Sequence, residues 1–143
     1  MKAFFRLLTV ILACIGCQSP EQQLVGVWKT DSIFNYVNGF TETLNIPDEH
    51  WPLFEYSADG VLTERKFGQQ RALRYQLVSA DSIVYTDTSG TVLSGFSVLK
   101  LNNEKLVLKK THKPFLSGKN QQLYEIRFFT KVPSDSLTDA HQH

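Results

Sequence analysis

From residue 53 to residue 132 the chain is a series of short, apolar-alternating runs cut at near-even intervals by turn residues. Few folds are open to such a chain. Residues 53–56 and 61–67 flank Ser57-Ala58-Asp59-Gly60, whose Asp-Gly is a strong hairpin signal. Residues 71–78 alternate with Leu73, Tyr75 and Leu77 on one face, and Ser79-Ala80-Asp81 turns the chain into residues 82–86. Ser89-Gly90 leads into residues 91–101, where Ser94-Gly95 is expected to bulge. Asn102-Asn103-Glu104 then leads into residues 105–111, and a loop over residues 112–121 precedes the last run, residues 123–132. Counting a first run over residues 24–34 gives about eight strands and no convincing helix, the pattern of an antiparallel sandwich or barrel. In an up-and-down meander alternate connections share an end. Here the short turns at Asp59-Gly60, Ala80-Asp81 and Asn102-Asn103 fall at one end and the two long loops, 35–52 and 112–121, at the other. That phase favours a barrel with one closed end and one open mouth.

The first run carries Gly26-Val27-Trp28, with Gly26, Trp28, Thr30, Ser32 and Phe34 expected on one face by strict alternation. Gly in a strand marks a bend or a close approach. This Gly-x-Trp near the start of a β-rich domain resembles the signature of the lipocalins, especially the small lipocalin-like domains of bacterial lipoproteins. The resemblance implies an up-and-down barrel over residues 24–132, with Gly26 and Trp28 at its floor and a long first loop as its lid. It also implies an Arg from the last strand across the floor Trp. Arg127 is the Arg available, although its alternation with Tyr124, Ile126 and Phe128 is in tension with that role.

Met1 to Arg6 supplies a positive segment and residues 7–15 an apolar one too short to span a bilayer, the form of a secretory signal. It ends Cys14-Ile15-Gly16-Cys17 before polar Gln18-Ser19-Pro20 and resembles a bacterial lipoprotein signal. Residues 1–16 are then the signal peptide, 17–23 an acylated tether and 133–143 a polar tail. Cys17 is the expected acylation site, with Cys14 as the alternative, and the resemblance implies palmitate-like chains holding the domain to a membrane of the bacterial envelope, on either face. Both cysteines precede the domain, so neither a disulfide nor a cysteine metal site is expected in it. Without Lys2 and Arg6 the chain has 13 basic residues against 14 acidic ones. Such balance gives no footprint for nucleic acid. A monomer is expected.

Catalysis needs groups in arguable mutual geometry, and no nucleophile motif or phosphate-binding glycine loop occurs. No enzyme activity, cofactor or metal is expected. Asp48-Glu49-His50 reads as solvated loop and His141-Gln142-His143 as tail. Lys105, Lys109, Lys110, His112, Lys113 and Lys119 make the later hairpin basic, mostly as outward-facing residues, with contact to an anionic headgroup or acidic ligand as the alternative. The aromatic residues Phe34, Tyr36, Phe40, Trp51, Tyr75, Tyr85, Phe115 and Tyr124 are the candidate ligand contacts. An eight-stranded barrel either fills its interior with side chains or holds one small ligand. If a cavity exists, a small hydrophobic or amphipathic molecule is expected in it. If none exists, these residues are core and the barrel is an envelope interaction module.

Overall fold

In the computed structural model, which describes residues 18–45, 51–116 and 120–133, a short helix precedes nine strands. The helix α1, Pro20–Leu24, occupies the second half of the expected tether and takes in Leu24, expected as the first strand residue. Its start is a capping box: Ser19 Oγ accepts from the Gln22 amide at 3.3 Å, and the Ser19 amide donates to Gln22 Oε1 at 3.1 Å. Pro20 occupies the first turn, where its missing N–H costs nothing.

The strands are β1 Gly26–Val37, β2 Phe40–Leu44, β3 Leu53–Tyr56, β4 Val61–Lys66, β5 Gln69–Ser79, β6 Ser82–Thr86, β7 Val92–Leu101, β8 Lys105–Thr111 and β9 Leu123–Val132. All pairings are antiparallel between neighbours in the order β2-β1-β3-β4-β5-β6-β7-β8-β9, and β1 also pairs β9 along almost its whole length. Eight strands therefore close on themselves. The ninth, β2, is an extension: β1 gives its first half to β3 and its second half to β2 on the same edge. This is the closed up-and-down barrel that the lipocalin resemblance implied.

Two elements differ from expectation in instructive ways. Residues 35–44 are not irregular, because Asn38 and Gly39, with φ of 49° and 96°, make a two-residue hairpin turn between β1 and β2. The Asn-Gly signal outranked the long-loop reading. Strand β1 also bulges at Asp31, between the pairs Thr30↔Phe129 and Ser32↔Phe128. A bulge inserts one residue and so exchanges the faces beyond it. Asp31 Oδ2 pins it by accepting from Thr130 Oγ1 at 2.5 Å and from Lys105 Nζ at 3.4 Å. Further irregularities fall at Leu93 and Leu99, skipped in the β6 and β8 registers, while Gly95 pairs regularly with Val84.

The core is the barrel's lower interior, where Trp28, Tyr56, Leu62, Ile83, Leu106 and Leu108 are almost wholly buried. Leu24 joins this cluster from the helix, so α1 plugs the end where Trp28 lies.

Candidate functional site

At the plugged end the Trp28 indole N–H donates to the Leu24 carbonyl at 2.7 Å, the partner a buried indole needs. Lys131 crosses here, its Nζ 5.1 Å from the Trp28 ring and donating to the Gln23 carbonyl at 2.9 Å. Burial pulls the Lys131 pKa down. Gly26, at φ 133°, leaves room for this side chain: a Cβ there would lie 2.5 Å from Lys131 Cε. The cation over the floor Trp is thus Lys131 and not Arg127. Trp28 and Lys131 are register partners across β1 and β9, and Arg127 pairs with Ile33 well above them.

Arg127 instead faces the interior near the open end. Strand β9 alternates with Leu123 and Phe129 buried, so Glu125 and Arg127, in phase with them, point inward, while Tyr124, Ile126 and Phe128 point out. Beyond the Asp31 bulge Phe34 and Tyr36 pair with Ile126 and Tyr124 and share their outer face. Tyr36 stacks on Tyr124 at 4.8 Å between centroids, under the ammonium of Lys109 at 4.2 Å. Three expected ligand contacts, Phe34, Tyr36 and Tyr124, therefore lie outside the barrel. Phe40 and Phe115 are exposed at its open end.

Tyr75 and Tyr85 do face inward, as cross-strand partners. Tyr75 donates to the Ser57 carbonyl at 2.7 Å and meets Tyr56 edge-on at 5.0 Å, which places it in the floor half. The Tyr85 hydroxyl is bonded to that of Tyr56 within the core. Desolvation raises both of these phenols well above their ordinary pKa; the charge of Tyr85 adds to the rise at Tyr56, while the hydrogen bond from Tyr56 offsets part of the rise at Tyr85. They are hydrogen-bonding groups, not bases. Trp51, just ahead of β3, has its indole N–H buried with no hydrogen-bond partner among the described residues.

Above this apolar floor lies a cavity of about 120 Å³ whose lining interleaves apolar Phe54, Leu73, Tyr85, Leu93, Phe96, Leu108 and Phe129 with polar Glu64, Arg71, Ser94, Lys110 and Arg127, Phe54 pairing with Glu64 and Leu108 with Arg127 across neighbouring strands. Its charges are arranged in pairs with one left over. Arg127 binds Glu125 through Nε at 2.9 Å and Nη2 at 2.7 Å, and Arg71 Nη1 lies 3.8 Å from Glu64 Oε2 across the β4–β5 pair. Lys110 donates to Ser94 Oγ at 2.9 Å and has no acidic partner among the described residues. The ring of Phe96 lies 5.6 Å from both the Lys110 ammonium and the Arg127 guanidinium.

The expected wall of apolar groups and tyrosines is thus half replaced by charge, and Lys110 is an inward residue of the hairpin read as outward. Sequence parity carries the missing signal: Lys110 is in phase with Leu106 and Leu108, Glu64 with Leu62, and Arg71 with Leu73. Cys17, Asp48, Glu49, His50, Lys119, His141 and His143 lie outside the described residues. Among the described residues no group of His, Cys, Asp or Glu could hold a metal ion.

Fold and site together define a closed antiparallel β-barrel with a filled floor and a small mixed-polarity cavity beneath its open end. No family model matches the chain, and no curated protein does. Among solved structures it is similar to a deswapped triple mutant of bovine odorant binding protein, at 16% identity and a TM-score of 0.37, over 82% of this chain and 81% of that one. The barrel stands on its own strand pairing.

Proposed function

We propose that this is a lipocalin-like binding protein, held to a membrane of the bacterial envelope through acyl chains on Cys17, that takes a small amphipathic molecule with an acidic group into the mouth of the barrel. The observation carrying the reading is the cavity itself, whose aromatic and aliphatic lining is interleaved with charged groups, with Lys110 as the surplus charge. An acid seated there gains a charge-assisted hydrogen bond to Lys110, while its carbon chain lies against Phe96 and Phe129. Pockets for drug-sized ligands measure about 300–1,000 Å³. The cavity's 120 Å³ therefore fits a short molecule, or one end of a longer one. The raised tyrosines stay protonated and the interior acids are ion-paired, which supports binding and not catalysis. The fully packed floor favours, as the second reading, a filled barrel that binds a protein partner.

Native mass spectrometry of the chain released from its host's envelope separates the two. The ligand reading expects a stoichiometric small acid that is lost in Ser94→Phe, whose ring would fill the cavity. A bare protein mass in both forms would favour the filled barrel.

A further inference from the structure

Each of the four connections at the open end of the barrel displays a large apolar side chain to solvent. The β1–β2 hairpin carries Phe40 at 81% exposure, the β4–β5 turn Phe67 at 75%, the β8–β9 loop Phe115 at 79%, and the β6–β7 connection runs into exposed Val92. Fold stability does not call for them. Phe67 has φ 49°, the left-handed conformation that suits Asn or Gly, yet it holds a solvent-facing ring that packs no core. Cations accompany the rings: Lys66 Nζ lies 5.2 Å from the Phe67 ring, and Lys113 is two residues from Phe115. Neither lysine has an acidic partner among the described residues. Of the acids near this rim, Asp87 is turned on its own loop, accepting from Ser89 Oγ at 2.6 Å and from the amides of Ser89 and Thr91 at 2.9 and 2.8 Å, while exposed Glu42 stands two residues from Phe40.

We propose that this rim docks the open end of the barrel onto an anionic lipid bilayer, with Phe40, Phe67 and Phe115 entering the headgroup region and Lys66 and Lys113 meeting lipid phosphates. Aromatic rings flanked by lysines are the chemistry of a membrane interface. The rings stand on separate loop tips around an opening, which a fluid bilayer accepts without the continuous complementary patch a protein partner needs. Docking would bring the cavity mouth against lipid. It is distinct from acylation: α1 leads off the closed end with only Gln18 and Ser19 between it and Cys17, so the bilayer met by the rim would be one facing the membrane that holds the acyl chains.

Trp51 is a native reporter, since Pro52 beside it shares a surface hollow with Lys66 and Phe67, while Trp28 is buried at the far end. The full chain is mixed with vesicles of phosphatidylglycerol and phosphatidylcholine carrying brominated acyl chains, and tryptophan quenching is read beside co-flotation. Quenching that disappears in Trp51→Phe and in Phe40→Ser/Phe67→Asn/Phe115→Ser is expected. Lys66→Gln/Lys113→Gln should weaken vesicle affinity by roughly fivefold per lysine, an effect erased by salt. The aromatic variants remove only exposed rings, and Asn suits the turn at position 67, so loss of quenching would not reflect unfolding. A chain that floats through its N-terminus with Trp51 unquenched would overturn the proposal and leave the rim to a protein partner. So would unchanged quenching in the triple variant, or a chain that neither floats nor is quenched.

Discussion

Lys110 is the residue on which ligand chemistry turns. Its aliphatic stem lies against the interior wall and its ammonium reaches Ser94 near the Phe96 ring, so Lys110→Met keeps the packing and removes only the charge. Affinity for an acidic ligand should then fall about tenfold to a hundredfold, the value of a hydrogen bond to a charged group, with thermal stability little changed. Deeper in the barrel Tyr85→Phe would leave the Tyr56 hydroxyl buried without its partner, and urea unfolding should show a loss of about 1–3 kcal/mol. At the floor Gly26→Ala meets both a positive φ and the Lys131 side chain. A loss of about 1–3 kcal/mol is expected by the same measurement. Gly26 was legible in the sequence as a place of close approach, but the approaching group is a side chain from the far end of the chain. No local pattern announces it.

The strands themselves were legible because turn chemistry and alternation agree: the β3, β6, β8 and β9 boundaries match the apolar runs residue for residue. Their faces were less so. One bulge residue, Asp31, reverses the parity of everything after it in β1 and turns Phe34 and Tyr36 outward. Period-2 reading has no means of seeing an inserted residue whose pin, Thr130, lies about a hundred positions away. The helix α1 was missed for a different reason, since Ser19-Pro20-Glu21-Gln22 is a complete start signal placed where a tether was expected. At the β4–β5 turn the strain of Phe67 gives an element-scale prediction. Phe67→Asn should relieve about 1–2 kcal/mol of left-handed backbone cost and raise the melting temperature by a few degrees in a calorimetric scan.

At the scale of the molecule the barrel divides into a sealed lower half and a charged upper half, and its pH behaviour follows from the first. The folded-state pKa values of Tyr56 and Tyr85 are raised above the unfolded value near 10. The folded state therefore holds these protons more tightly, so their contribution is complete below pH 10 and is lost as the pH rises further. The phenolate absorbance of these two residues should appear together with unfolding. Loop phase made the closed and open ends legible in the sequence, yet the charge lining the mouth was hidden by reading lysines and arginines as surface. Calorimetric titration of the chain with straight-chain carboxylates of two to eight carbons, each beside its neutral amide, decides whether the mouth of the barrel recognises an acid. The acids should bind, the amides should bind about tenfold or more weakly, and Lys110→Met should erase the difference. Equal binding of acid and amide, or no heat from either, would contradict acid recognition.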